Sequence, residues 1–439
     1  MSERARGEEA AAGKAVAPGA AAVRGTRDIL PPESSRWQWV EGVARRVCER
    51  YGYREIRTPI FEAATVFTRG IGEATDIVEK EMYLFRDRAG RELALRPEGT
   101  AGVVRAFLEH KLYAGPLPVK LFYLGPMFRY ERPQAGRYRQ FEQFGVEAFG
   151  SADPAIDAEI ISLGIAFLEA VGLDRWELRL NSIGCPTCRA AYREMLVTEL
   201  SPRRQELCRS CEQRLERNPL RILDCKEPGC QLLVEPLPGL ESYLCSDCRA
   251  HWETVQHYLG ELGISYRKYP RLVRGLDYYT RTVFELVGTG LGSQDALLGG
   301  GRYDGLVEAM GGPSVPGIGF AAGLDRLLMS LAGGDGLPPA AAATDVYVAR
   351  AGEVPMGAVL QLAERLRRAG IRTELELAGR SLKAQLKVAD RLGARFVVIA
   401  GEAEWARGLV TLRRMADGLQ EEVARTEVPG RLSELISET

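Results

Sequence analysis

The sequence predicts an α+β protein: an antiparallel sheet flanked by helices, followed by a small, separate α/β domain. Two alternating runs, LFYLGPMFRY and RQFEQFGVEAF, flank Pro133, Gln134, Ala135 and Gly136, which is the pattern of a long antiparallel hairpin. A Pro/Gly/Ala-rich stretch from Ala332 to Thr344 ends that part of the chain. Beyond it strands alternate with helices, as DVYVA, MGAVLQLAERLRRAG, IRTELE, SLKAQLKVADRLGA and FVVIAG.

With 439 residues there is room for two or three domains with proper cores. Lys and Arg number 58 against 59 Asp and Glu, a net charge of −1, so no global basic signature announces nucleic acid. A local basic stripe balanced elsewhere remains compatible with it. No apolar run approaches the roughly 20 residues of a spanning helix, so no membrane is expected. The nine cysteines avoid a secreted-domain pattern and favour a reducing cytoplasm.

Met1 to Val23 is rich in Ala, Gly and charge without periodicity and reads as a disordered tail; it lacks the apolar core of a signal peptide. From Glu33, residues Trp37, Val40, Ala44, Val47, Cys48 and Tyr51 recur at helical spacing, and Gly52 closes the helix. YREIRTPIFE then reads as an edge strand, because Pro59 would break a central one. RELALRPEGTAGVVRAFLEH runs strand, turn, helix, with Thr100 as a capping residue. After the hairpin come an amphipathic helix, DPAIDAEIISLGIAFLEAVG, and a strand, WELRLNSIG.

At its tip the hairpin holds Arg129, Arg132, Arg137 and Arg139 with Glu131, Glu142 and Glu147 near them. The planar fork of arginine suits phosphate, and carboxylates suit amines or hydroxyls, so one hairpin can hold an anionic and a cationic group together. A solvated, salt-bridged hairpin uses the same residues. No GxxxxGK[ST] occurs, and GGGRYDGL is not a GxGxxG fingerprint, so a nucleotide, if bound, is not held by a P-loop or Rossmann fold.

The Phe-Arg-Xaa-Glu opening at 128–131 and the return RYRQFEQFGVE resemble motif 2 of class II aminoacyl-tRNA synthetases, in wording closest to the bacterial histidyl-tRNA synthetases. RPEGT at 96–100, RGLDYYT at 274–280, GGGRYDGL at 299–306 and GIGFAAGLDRL at 317–327 occur in that family's order, and the resemblance runs from Gly25 onward. It implies a histidine–tRNA ligase that uses ATP with Mg2+, partners histidine and tRNA(His), and forms a homodimer through the helix and edge strand of motif 1. Arg129 and Arg274 would be catalytic, gripping the α-phosphate. Glu131, Arg137 and Phe141 would frame ATP, and Arg326 of motif 3 would hold its γ-phosphate. Glu98, Thr100 and Gln143 would hold the histidine backbone groups beside Arg129 and Arg274, while Glu147, Tyr278 and Tyr279 would face the imidazole. An imidazole needs a donor and an acceptor, which tyrosine hydroxyl and carboxylate supply. The C-terminal segment resembles the family's anticodon-binding domain, and Arg365, Arg367, Arg368, Arg380, Lys383 and Lys387 give it basic faces.

Cys185, Cys188, Cys208, Cys211, Cys225, Cys230, Cys245 and Cys248 form three CxxC pairs and one CxxxxC pair. Such spacing suits one or two tetrahedral all-cysteine zinc sites of structural type. The expected domains are therefore a tail (1–23), a catalytic domain in two parts (24–174 and 271–331), a Cys-rich insertion (175–270), a linker (332–344) and an anticodon-binding domain (345–439). A second reading is a non-catalytic, histidine-binding regulatory paralogue. Such proteins lack the anticodon domain and erode the ATP-binding arginines, and this chain keeps both.

Overall fold

In the computed structural model, which describes residues 21–72, 75, 77–134, 136–288, 296–332 and 344–437, the hairpin belongs to the first of two compact units. The units are residues 1–337 and 338–439. Most of the expected tail (1–20) and nearly all of the linker (333–343) lie outside the described residues.

The first unit holds, in chain order, β1 (Arg54–Glu55), β2 (Phe61–Ala63), β3 (Leu84–Arg86), β4 (Glu92–Leu95), β5 (Val119–Phe128), β6 (Gln140–Phe149), β7 (Trp176–Ser182), β8 (Arg267–Lys268), β9 (Thr280–Gly288), β10 (Ala296–Arg302) and β11 (Gly317–Gly323). Eight of them make the main sheet in the order β1-β5-β6-β11-β10-β9-β7-β8. It is antiparallel except at its two ends, where β1 runs parallel to β5 and β8 parallel to β7. The hairpin pairs from Val119↔Phe149 to Phe128↔Gln140. Pro126 is tolerated within β5 because β1 pairs only with Leu121 and Phe122, so no neighbouring strand calls for the N–H that proline lacks.

YREIRTPIFE is not one strand. It divides into β1 and β2, which belong to different sheets, with Pro59 between them. β2 joins β4 and β3 in a small three-stranded sheet that the pattern did not announce.

Helices α1 (Glu33–Arg50), α2 (Ala64–Ile71), α3 (Thr100–Glu109) and α4 (Pro154–Ala170) pack around these sheets. Gly52 takes φ +78° just past α1, a conformation that favours glycine. The amphipathic helix expected at α4 is instead buried on nearly every side, through Ile156, Ile160, Ile161, Leu163, Phe167 and Leu168. The far face is covered because the insertion folds back on it. That insertion carries α5 (Pro186–Leu200), α6 (Arg209–Arg217), α7 (Pro228–Val234) and α8 (Ser246–Glu261), and α8 lies against α4. Since β7 and β8 belong to the main sheet, the helical part runs only from 183 to 266. The short α9 (Leu306–Ala309) and α10 (Leu324–Ala332) complete the unit, α10 following β11 directly.

The second unit is a five-stranded mixed sheet of β12 (Val346–Ala351), β13 (Thr373–Leu375), β14 (Phe396–Gly401), β15 (Leu409–Arg414) and β16 (Gln420–Ala424), ordered β13-β12-β14-β15-β16. The first three are parallel, as the alternation predicts; β15 and β16 extend the sheet antiparallel.

Candidate active site

One cavity opens over β6, β11 and β10, and eleven of the twelve residues singled out for ATP and histidine line it: Glu98, Thr100, Arg129, Glu131, Arg137, Phe141, Gln143, Arg274, Tyr278, Tyr279 and Arg326. The twelfth, Glu147, lies beneath that lining.

At one end are three arginines. The Arg129 guanidinium stands 5.4 Å over the Phe141 ring and donates from Nε to the Pro97 carbonyl at 2.8 Å. Arg137 reaches Glu131 at 3.3 Å, and Arg129 approaches the same carboxylate at 3.9 Å. Arg326 sits on the first turn of α10, half-buried. Burial and the nearby Arg137 and Arg129 hold its guanidinium below the usual value. One carboxylate facing three guanidiniums leaves an excess of positive charge in a partly dry place, which a bound polyanion would relieve.

At the other end the groups are buried and acidic or aromatic. Glu98 accepts from the backbone N–H groups of Thr100 (2.6 Å) and Ala101 (2.9 Å), so the carboxylate, not the Thr100 hydroxyl, caps α3. Burial nonetheless raises its pKa. The Thr100 hydroxyl donates to Glu147 Oε1 at 2.6 Å, and the Tyr303 hydroxyl donates to Glu147 Oε2. Burial outweighs both donors and pushes the Glu147 carboxyl up to about 8. The Gln143 side-chain oxygen is buried with no donor among the described residues, so it is open to a ligand N–H. Tyr278 and Tyr279 have ring centroids 4.6 Å apart, and Tyr303 meets Tyr278 edge-on at 5.6 Å.

Arg274 pairs with Glu285 on β9. Its guanidinium lies across Gly299, where a Cβ would stand 2.6 Å from it. The three glycines 299–301 are therefore interior residues of a central strand, each roofed by a neighbour, and not a turn.

Sequence reasoning missed Tyr303, which lines the cavity and holds Glu147. The GGGRYDG motif had marked the place, but the contact spans 156 residues. It also missed Asp325, which lines the cavity and accepts from the Glu142 N–H at 2.9 Å.

The eight cysteines of the insertion are free thiols in two groups: Cys185, Cys188, Cys245 and Cys248, and Cys208, Cys211, Cys225 and Cys230. Within each, the four Sγ atoms lie within 4.8 Å of one another.

A mainly antiparallel sheet that carries an arginine-tipped hairpin and, beside its tip, a strand-to-helix arginine lining the same cavity defines a class II aminoacyl-tRNA synthetase. The histidyl-tRNA synthetase family model matches residues 25–208 and 236–327, and an anticodon-binding-domain model matches 345–435. The chain belongs to the histidyl-tRNA synthetase family. It is 58% identical over 400 residues to the histidine–tRNA ligase of Moorella thermoacetica, covering 91% of this chain and 95% of that protein. To that of Halothermothrix orenii it is 53% identical over 415 residues, covering 94% and 99%. The crystal structure of apo S. aureus histidyl-tRNA synthetase superposes with a TM-score of 0.79 at 38% identity, covering 94% of this chain and 99% of that one.

Proposed function

We propose that the chain is a histidine–tRNA ligase that activates histidine with ATP and passes the histidyl group to tRNA(His). The carrying observation is that one cavity joins a cluster of three arginines to a buried carboxylate and tyrosine pocket. That is the polarity required by a substrate pair with a polyphosphate at one end and an ammonium and imidazole at the other.

In the first step a histidine carboxylate oxygen attacks the α-phosphorus. The O–P bond to histidine forms as the bond to pyrophosphate breaks, giving histidyl-adenylate. The carboxylate is already ionised, so no general base is needed, and catalysis is positioning and charge stabilisation. Arg129 and Arg274 grip the α-phosphate, Arg326 the γ-phosphate, and Phe141 with Arg137 and Glu131 frames the adenine. Glu98, Thr100 and Gln143 take the ammonium group, and Tyr278, Tyr279 and the Glu147 carboxyl beyond them read the imidazole. A ribose hydroxyl of tRNA then attacks the acyl carbon and AMP leaves. Mg2+ prefers oxygen ligands and usually keeps to substrate phosphates with one or two carboxylates. The Glu131 carboxylate beside the arginines fits that donor set, and the ion would neutralise phosphate charge there.

A homodimer belongs to the same reading, and structural zinc at the eight cysteines is proposed beside it. Ile60, Phe61, Leu84 and Phe85 form an exposed apolar group next to the motif 1 strand, with Phe61 and Phe85 paired edge-on at 6.3 Å, a surface suited to a second copy. Lys383 and Lys387 are exposed one turn apart in the C-terminal unit and suit tRNA phosphate. Among the described residues no helix is long and apolar enough to cross a membrane, and the compartment proposed is the cytoplasm. The regulatory paralogue is disfavoured by the intact arginines and by full-length identity above 50% to proteins named histidine–tRNA ligase.

Pyrophosphate exchange with ATP and each of the twenty amino acids tests the reading. Exchange with histidine alone, abolished by Arg274→Ala, is expected. A folded protein that binds histidine without exchange sinks it.

A further inference from the structure

We infer that the insertion carries two zinc ions, one in each four-cysteine group, and that together they hold the loop 274–279 in its shape from behind. The coupling to histidine rests on the ligase reading of that loop; the metal content does not.

The pairing is nested: Cys185 and Cys188 at the start of the insertion meet Cys245 and Cys248 at its end, and the other four cysteines close a second site between them. Tetrahedral zinc with Zn–S near ~2.3 Å places sulfurs about 3.8 Å apart. Cys185 and Cys188 are at 3.5 Å, and Cys208 and Cys225 at 3.8 Å, far longer than the roughly 2 Å of a disulfide. Two backbone N–H groups already point at sulfur, Cys245 to Cys188 at 3.1 Å and Cys208 to Cys230 at 3.2 Å, as metal-bound thiolates require of their surroundings. Cys185, Cys208 and Cys245 each stand at the N-terminus of a helix, which further favours the thiolate.

Both sites reach the histidine loop. Arg189, next to Cys188, donates to the carbonyls of Tyr279 (2.7 Å) and Asp277 (3.4 Å). Asn218 and Arg221 lie between Cys211 and Cys225. Asn218 donates to the Asp277 carboxylate at 2.8 Å, and Arg221 to the Arg274 carbonyl at 3.0 Å. Residues 271–279 form no strand or helix, so Arg189 and Arg221 give the loop's carbonyls bonds that a ladder would otherwise supply. The histidyl-tRNA synthetase family model stops at 208 and resumes at 236, a stretch that contains Cys211, Cys225, Cys230, Asn218 and Arg221.

Elemental analysis of the purified full chain should find two zinc ions per chain. Cys225→Ser should retain one and raise the KM for histidine in pyrophosphate exchange about tenfold, the worth of one or two lost hydrogen bonds, with the KM for ATP changed less. Arg221→Met keeps all eight cysteines; it should keep two zinc ions and raise the histidine KM in the same direction, which covers the case of a Cys225→Ser chain that fails to fold. Fewer than two zinc ions in the parent overturns the metal sites. Unchanged histidine KM in a Cys225→Ser chain with one zinc, or in Arg221→Met, overturns the coupling. Two zinc ions in a protein without histidine-dependent exchange would instead remove the ligase reading and with it the coupling, leaving the metal sites standing.

Discussion

Tyr303, just past the end of β10, donates its hydroxyl to Glu147 on β6 across the intervening strand β11. The contact is possible because Gly319 of β11 faces Glu147 in register and bears no side chain; a Cβ there would overlap Glu147 Oε2. Tyr303 and Thr100 thus close the inner end of the cavity around one carboxyl group.

That carboxyl should dominate the pH response. Its usual value is 4.5 and burial pushes it to about 8, so the folded protein keeps a proton that the unfolded chain releases. The contribution to stability is complete below about pH 4.5 and is lost as pH rises through 8. Glu98, also raised by burial, adds with the same sign. Thermal melts between pH 5 and 8 should therefore slope downward with pH, and Glu147→Gln should flatten the slope. An unchanged slope in the variant would remove Glu147 as its source.

Two glycine substitutions separate site from scaffold. At Gly299 an added Cβ meets the end of the flexible Arg274 side chain, so Gly299→Ala should fold with a near-normal melting temperature while pyrophosphate exchange falls by roughly tenfold or more as the guanidinium is displaced. At Gly319 the Cβ meets the Val146 carbonyl as well as Glu147. Backbone cannot yield, and Gly319→Ala should destabilise the protein by about 1–3 kcal/mol. Equal melting temperatures for the two would contradict this division.

The Arg326 guanidinium is held below its usual value by burial and by two neighbouring arginines. Removing it eases repulsion in the empty site while weakening the hold on the phosphates. Arg326→Ala should leave the melting temperature unchanged or raised, and lower kcat/KM for ATP by about 10²-fold or more. A loss confined to the histidine KM would place this arginine elsewhere in the reaction.

The hairpin and its arginines were legible because a strand's alternation and a turn's chemistry are local. Their convergence with Arg274 and Arg326 entered only through the resemblance, since no spacing relates residues so far apart. α4 was misread as half-exposed because the helix that covers it, α8, arrives some ninety residues later. The tyrosine that holds Glu147 escaped for the same reason. Cysteine pairs could be seen, but the division into 185/188 with 245/248 and 208/211 with 225/230 is a property of the folded insertion.

The fully buried pair of Asp157 and Arg302 carries the last prediction. Asp157 on α4 also accepts from His251 of α8 at 3.1 Å, so one carboxylate joins the sheet, the central helix and the insertion. Burial alone would raise its pKa, but Arg302 and His251 outweigh it and hold it below the usual 3.8. Its stabilising contribution is therefore present above that value and lost as pH falls through the lower one. Asp157→Asn leaves the buried guanidinium only the partly exposed Asp304 carboxylate, 3.1 Å away, as a counter-charge, and should cost about 3 kcal/mol in denaturant unfolding. Neither residue lines the cavity, so the KM for histidine should change little in the folded fraction. Replacing both by leucine removes the stranded charge and should recover part of the loss. A double variant no more stable than the single one would show that the pair holds the insertion by its geometry and not by its charge.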